Sequence, residues 1–310
     1  MASCAWCGRE EADFLVARRD RLGNETFAYL RCAGCGLIRL EPRPPSSELL
    51  RYYPEDYEAF QSRRENPLFR WGRRRLWYRR LQAIRHYLPR AGRALDVGCG
   101  TGEFLEIIRR LGWDGVGIEP NPWAARQARV RLEAGVVQEI PLEEAAYPPE
   151  TFDLITLWDV LEHLDNPPAA LRRLAGWLRP DGLLAVGVPN LESWDARFFG
   201  PAWIGWDAPR HLHLFPDSTL RGMLAETGFS VLAAPCLYGG YGPFILSLDF
   251  ALQERYREKG RFLRRLVALR PGRYLLWPYF SLAERLGKGS IRTYLCRRSR
   301  EAPGLSPPRK

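Results

Sequence analysis

The sharpest alternation of apolar and polar positions lies between residues 93 and 121. Ala94-Leu95-Asp96-Val97 is a short apolar run suited to a buried strand, and it breaks at the turn Gly98-Cys99-Gly100-Thr101-Gly102. In EFLEIIRRLG (103–112) apolar residues recur at helical spacing until Gly112, a stop signal. GVGIEPN (115–121) then reads as a second strand ending in an acid, Glu119. Strand, glycine turn, helix and strand together predict a nucleotide-binding βαβ unit. Before it, FLVARRD and ETFAYLRC alternate well enough to be two strands joined at LGN (22–24). Leu76, Leu81, Ile84 and Leu88 recur at helical spacing in an arginine-rich segment, where Trp77 and Tyr78 are expected to be core packing. After it, TLRGMLAETGFSVLAAPCL (219–237) predicts a helix, a stop at Gly228 and a strand. FILSLDFALQERYREKGRFLRRLVALR and RYLLWPYFSLAERL read as two amphipathic helices around Arg270-Pro271-Gly272. The tail EAPGLSPPRK reads as disordered.

No apolar run approaches the roughly 18 to 20 residues a membrane span needs. The start MASCAWCGREE lacks the apolar stretch of a signal peptide, so an intracellular, cytoplasmic protein is expected. The formal charge is +10, and only Lys259, Lys288 and Lys310 are lysines. Arginines cluster with aromatic and aliphatic residues in RWGRRRLWYRR (70–80), GRFLRRLVALRPGR (260–273) and IRTYLCRRSR (291–300). Such clusters suit phosphate-bearing ligands or an anionic membrane surface, although solvated helix faces are their commoner meaning.

Cys4, Cys7, Cys32 and Cys35 form two C-x2-C pairs separated by 24 residues, each beside a glycine that lets the backbone fold back. Two such knuckles supply the four thiolates of a closed, structural zinc site. A disulfide pair is the alternative, and an intracellular chain argues against it. The two strands between the knuckles complete a small zinc ribbon with too little core to fold alone, and PRPP (42–45) ends it. Ser46 or Ser47 can cap the segment SELLRYY that follows.

The glycine turn is not a dinucleotide fingerprint, because its glycines fall at 98, 100 and 102. Glu103 opens the helix and Asp96 precedes the turn, so a phosphate would meet negative charge there. Two unit charges about 4 Å apart interact by about 4 kcal/mol at an effective dielectric of about 20. A ligand with a sulfonium and an ammonium fits that environment better.

DVGCGTGEF and VGIEPN resemble the first two motifs of the class I S-adenosylmethionine (SAM) methyltransferases. FDLITLWDVLEHLDNPPAALRRLAGWLRPDGLLAVGVPN (152–190) is similar to the segment that follows there, in which the fourth strand, a helix, a proline–glycine turn and the fifth strand succeed one another. The resemblance implies an α/β, Rossmann-like fold with a seven-stranded mixed sheet whose last strand, 290–298, is antiparallel. It implies a cofactor site at Asp96, Gly98, Cys99, Gly100, Gly102, Glu119, Pro120, Trp158 and Asp159, with Glu119 accepting both ribose hydroxyls. Gln138, Glu139 and Ile140 are the candidates at the adenine end. DVLEH (159–163) is similar to an acid-x-x-Glu-His pattern that binds magnesium in ubiquinone-pathway O-methyltransferases and is plain structure in many relatives.

YLRCAGCGLIRLEPRPPSSELLRYYPEDYEAF (29–60) resembles the zinc-binding segment of a subset that includes sugar C-methyltransferases and enzymes of polysaccharide biosynthesis. PN…W…D-x-P-R-H-L…F resembles a signature of the same group, whose matching histidine is a candidate base. His211 is accordingly the expected catalytic base, and the residues around it read as its support, with Asp207 fixing its tautomer or contacting substrate, Arg210 meeting a substrate phosphate and His213 on the substrate side. Pro209 disfavours helix at Ala208, so HLHLF is expected to be extended, with His211 and His213 on one face and Leu212 and Leu214 on the other.

The expected organisation is a zinc ribbon (1–45), a helical linker (46–90), a SAM-binding core (91–238), a helical insertion (239–289), the last core strand (290–298) and a tail (299–310). The expected acceptor is a sugar or saccharide intermediate, nucleotide- or lipid-linked, methylated on oxygen or carbon. The insertion is expected to be a lid or dimer surface, with peripheral contact to the inner face of a membrane as the sharper alternative. An RNA methyltransferase is the first rival, weakened by a nearly charge-balanced ribbon loop (8–31) without a run of stacking aromatics. A SAM-binding scaffold without catalysis is the second.

Overall fold

The computed structural model describes residues 3–20, 25–53, 67–133, 135–237, 240–255 and 270–299. The LGN turn, most of the basic stretch at 260–273 and nearly all of the tail lie outside those residues. In chain order the strands are β1 (Ala12–Arg19), β2 (Thr26–Cys32), β3 (Ile38–Glu41), β4 (Arg93–Val97), β5 (Asp114–Ile118), β6 (Val137–Gln138), β7 (Phe152–Trp158), β8 (Leu178–Pro189), β9 (His213–Leu214), β10 (Phe229–Ala233) and β11 (Ile291–Arg298). The helices are α1 (Pro67–Tyr87), α2 (Glu103–Arg110), α3 (Pro122–Arg131), α4 (Pro167–Trp177), α5 (Trp194–Phe199), α6 (Asp217–Glu226), α7 (Tyr241–Arg255) and α8 (Arg270–Arg285). Ser46–Tyr52 forms a 3₁₀ helix. These elements divide between two compact units, one of residues 44–187, 220–233 and 294–310, the other of residues 1–43, 188–219 and 234–293.

The first unit carries a seven-stranded sheet of order β10-β11-β8-β7-β4-β5-β6. Its central strands pair in parallel, and β10 and β11 pair antiparallel, which gives the mixed sheet. β4 and β7 are buried almost throughout, as expected of strands covered on both faces. On α2, Phe104, Leu105, Ile107 and Ile108 are buried, whereas Arg110 lies outside. That stripe packs on β5 at Gly117, where a Cβ would lie 2.6 Å from Leu105, so the close approach needs a glycine. Leu81 and Ile84 of α1 join the same core, each worth roughly 1.5–3 kcal/mol of burial. Trp77 packs as expected on Phe104 and Trp158, but Tyr78 is 40% exposed because it faces away from that stripe. The expected proline–glycine turn is a bulge within β8. Phe152 pairs with Leu178 and Leu154 with Leu183, so Arg179–Gly182 swell out of register.

The second unit is built on an antiparallel sheet of order β1-β2-β3-β9. The ribbon strands do not stand alone, since Ile38 and Arg39 of β3 pair with Leu214 and His213 of β9. Tyr29, Leu37, Ile38 and Leu40 are thereby buried, which supplies the core that the ribbon sequence by itself lacks. The insertion belongs to the same unit. Phe244 of α7 meets Phe199, Tyr279 and Phe280 edge-on, and the Ile204 amide donates to Ser247 Oγ at 2.9 Å. Among the described residues no helix is long and apolar enough to cross a membrane.

Candidate functional site

Sheet order alone marks where a ligand enters the first unit. The chain runs outward from β4 to β5 and β6, then returns to the other side of β4 as β7. Parallel strands whose connections diverge leave a crevice at their carboxyl ends. The glycine turn follows β4, Glu119 follows β5, and Asp159 follows β7. Sequence separation hides this convergence, and topology produces it.

Gly98 has φ +65°, and a Cβ there would lie 2.6 Å from Val160, so the turn closes only around glycine. Gly100 also has a positive φ, +53°, yet a Cβ there would meet nothing within 4 Å. The chain itself leaves that space open, as a cradle for a bound molecule requires. Glu119 is buried, and its two oxygens each accept one backbone amide, from Gly100 at 2.8 Å and from Asn121 at 2.9 Å. An ionised carboxylate offers about four lone-pair sites, so two remain for a pair of vicinal hydroxyls. Asp96 is buried as well and accepts from Thr156 Oγ1 at 2.6 Å.

Burial pushes the Glu119 carboxyl up to about 7 against the pull of those two amides. Burial pushes Asp96 up to about 7 as well, with Thr156 opposing. Asp159 rises to about 6 through desolvation, with Arg80 opposing. Three carboxylates short of neutralising charge favour a cationic ligand. The donor set and the open cradle both fit SAM, whose sulfonium would supply an activated methyl group.

Several expected residues take narrower roles. Glu103 does not repel an anion as a bare charge, because Arg73 lies 2.7 Å from it and Arg131 3.7 Å away. Electronegativity at the turn comes instead from Asp96 and Glu119. The Cys99 thiol is buried toward β5, with its sulfur 2.7 Å from where a Gly117 Cβ would stand, so only its backbone serves the turn. Trp158 is a core residue between Phe104 and Trp77, and Pro120 is exposed. Glu139 is held by Arg129 at 2.9 Å. Arg80, which sequence reasoning did not single out, stacks 4.5 Å and 4.4 Å from the Trp77 and Trp158 ring centroids and tempers Asp159.

In the DVLEH stretch, Glu162 is fully buried, and neither carboxylate oxygen has a hydrogen-bond partner among the described residues. Burial and the neighbouring Asp159 push it well above the usual carboxylate range. His163 Nδ1 lies 2.9 Å from the Tyr53 hydroxyl. Asp159 joins no cluster of ligand atoms among the described residues.

In the second unit Cys4, Cys7, Cys32 and Cys35 bring their sulfurs within 4.8 Å of one another. The contacts Cys4–Cys35 and Cys7–Cys32 are 3.5 and 3.4 Å, far beyond the roughly 2.05 Å of a disulfide. A tetrahedral zinc with Zn–S of about 2.3 Å would separate its sulfurs by about 3.8 Å, so the donor set fits that metal.

The loop before β9 departs from expectation at three residues. Asp207 does not fix the tautomer of His211. It forms a two-pronged pair with Arg210, at 2.8 and 2.6 Å, and the Gly205 carbonyl takes its place 2.9 Å from His211 Nδ1. A carbonyl only accepts, so Nδ1 carries the proton and the neutral ring bears its lone pair on Nε2. A Cβ at Gly205 would lie 2.1 Å from the Trp203 ring, which is why this carbonyl belongs to a glycine. The Arg210 side chain is 0% exposed and also holds Asp20 at 3.2 Å, so it is not placed to meet a substrate phosphate. His213 is 2% exposed in β9 beside buried Leu212 and Leu214, so it does not share an open face with the partly exposed His211.

The family described as "Methyltransferase domain" matches residues 69–234, more than half of the chain. A ubiquinone biosynthesis O-methyltransferase of Xanthomonas euvesicatoria is 33% identical over 146 residues, which cover 44% of this chain and 61% of that protein. One of the same name from Albidiferax ferrireducens is 39% identical over 147 residues, covering 45% of this chain and 56% of that protein. The chain thus spans less than two thirds of these relatives. The Burkholderia thailandensis 1,6-didemethyltoxoflavin-N1-methyltransferase, solved with 1,6-didemethyltoxoflavin and S-adenosylhomocysteine, shares the fold. It aligns with a TM-score of 0.50 at 15% identity, over 88% of this chain and 96% of that one.

Proposed function

The chain belongs to the methyltransferase-domain family, and we propose that it moves the methyl group of SAM to an oxygen or carbon of a saccharide intermediate, nucleotide- or lipid-linked. The observation that carries the SAM assignment is Glu119, whose buried carboxylate is set by the amides of Gly100 and Asn121 beside an open glycine cradle. Bound there, SAM supplies a methyl group already activated by its sulfonium. The chain's residues then have two tasks. Gly98, Gly100, Gly102 and Glu119 bind and orient the donor, and His211 takes the proton that the acceptor loses.

His211 suits that second task because the Gly205 carbonyl fixes its proton on Nδ1 and leaves the lone pair on Nε2. A base of this kind contributes roughly 10²–10⁴-fold. Asp207 and Arg210 support the loop instead of touching substrate. The four cysteines hold a structural zinc in this reading, with all four positions filled by the chain.

The named relatives favour a second acceptor. Both are O-methyltransferases of ubiquinone biosynthesis, which supports transfer to the hydroxyl of an aromatic quinone precursor. Methyl-labelled SAM offered with nucleotide sugars, lipid extract and RNA separates the readings. Label is expected in a saccharide or lipid-saccharide fraction. Label in an aromatic lipid moves the assignment to the second acceptor. Label in RNA, or none despite SAM binding, overturns both.

A further inference from the structure

Three strands of the ribbon reach three consecutive residues of the histidine loop. Asp20, at the end of β1, accepts from Arg210 at 3.2 Å across 190 positions of sequence. Tyr29 of β2 donates its hydroxyl hydrogen to the His211 carbonyl at 2.9 Å, across 182 positions. Leu40 of β3 donates its amide to the Leu212 carbonyl at 3.0 Å. The His211 amide in turn donates to the Asp207 carbonyl at 2.9 Å, and Asp207 is gripped by Arg210. The ribbon therefore ties the backbone carbonyls of His211 and Leu212 directly and reaches the preceding Arg210 through its side chain, while Gly205 fixes the histidine ring.

We propose that the ribbon serves as the positioning scaffold of His211, with Tyr29 as the positioning residue that acts directly on it. The reading rests on His211 as the base. Tyr29 is suited to the task in three respects. Its side chain is 0% exposed, so no water competes for the hydroxyl. Its ring lies 5.0 Å from that of Trp206, which anchors it between the strand and the loop. Burial and the nearby Asp207 push its phenol well above 10, so it stays a donor at any working pH. A displaced His211 peptide would carry Nδ1 away from the Gly205 carbonyl, and the ring would exchange tautomers. Small displacements of a reacting group are costly, with about 1 Å worth as much as about 100-fold in rate.

Tyr29→Phe removes the hydroxyl and keeps the ring, and Asp20→Asn weakens the neighbouring tether with little change of shape. The first readout is the ¹⁵N spectrum of the histidine rings in the full-length protein, with His211 assigned by its loss in His211→Ala. Wild type is expected to show a single Nδ1–H tautomer at His211, and Tyr29→Phe a mixture that includes Nε2–H. The second readout is turnover of labelled SAM with whichever extract accepts the methyl. Tyr29→Phe is expected to lower kcat by about 10- to 100-fold, to leave KM for SAM unchanged, and to add nothing in a His211→Ala background. Unchanged tautomer and turnover in both Tyr29→Phe and Asp20→Asn would overturn the proposal, as would additive effects of Tyr29→Phe and His211→Ala. Full transfer by His211→Ala would sink the base reading, and the tautomer readout would still decide whether Tyr29 positions the ring.

Discussion

The turn after β4 and the loop before β9 both present polar atoms at a strand end, but they are held in opposite ways. The turn is local. Its shape comes from three closely spaced glycines, and the acid it meets lies 19 positions from Gly100. The loop is held from far away, by Asp20 and Tyr29 at separations of 190 and 182 residues. The turn is held by its own backbone geometry, whereas the loop depends on partners in a different part of the chain. On the proposed function, a donor site can be carried by a motif, whereas the proposed base needs a scaffold.

The largest expected effect breaks the loop without touching the turn. The four cysteines are proposed to hold zinc, and a strong chelator should then cost much of the roughly 10–16 kcal/mol that such sites contribute in small peptides. Calorimetry should then show a lost or strongly lowered transition, with SAM affinity unchanged. Loss of SAM binding together with zinc would show that the two regions are not separable.

Glu119→Ala acts on the turn alone. It removes two charge-assisted acceptor positions, at roughly 1.5–3 kcal/mol each, and strands the Gly100 and Asn121 amides. SAM affinity by titration calorimetry should fall at least about 100-fold. The glycines sharpen the same point. Gly98→Ala meets Val160 at 2.6 Å and a positive φ, and should lower the melting temperature through strain of about 1–3 kcal/mol. Gly100→Ala meets no protein atom within 4 Å, so its main cost should be SAM affinity, with a smaller loss of stability.

The smallest effect is a pH dependence confined to the turn. Asp96 and Glu119 sit at about 7 in the folded chain, raised from 3.8 and 4.5. The stability they lend is complete below their unfolded values and is lost as pH rises through about 7. The ligand-free protein should therefore melt at lower temperature at about pH 8 than at about pH 5, as far as these groups decide. A cationic ligand reverses the preference, so SAM should raise the melting temperature more at about pH 8 than at about pH 6. An equal increment at both would show that the two acids do not face the bound donor.

What could be read from sequence follows the same division. The α2 stripe, the glycine turn, the acid after β5 and the four cysteines were all visible, because each depends on neighbours within one or two elements. The sequence predicts a turn where Arg179–Gly182 bulge, since composition does not say whether a proline–glycine pair ends a strand or swells it. The sequence suggests chemical roles for Asp207 and Arg210, because a charged pair beside a histidine looks catalytic. Their burial against Asp20 follows only from the pairing of β3 with β9, which two residues of strand could not announce. Arg80 was hidden in the same way, as one arginine among many until the Trp77 and Trp158 rings close on it.

The division of labour between the two regions is tested most directly by single-turnover methyl transfer in His211→Ala, measured beside its SAM affinity. The expected result is SAM binding equal to that of wild type, with transfer slowed by roughly 10²–10⁴-fold. Transfer at the wild-type rate, or loss of SAM binding along with transfer, would contradict it.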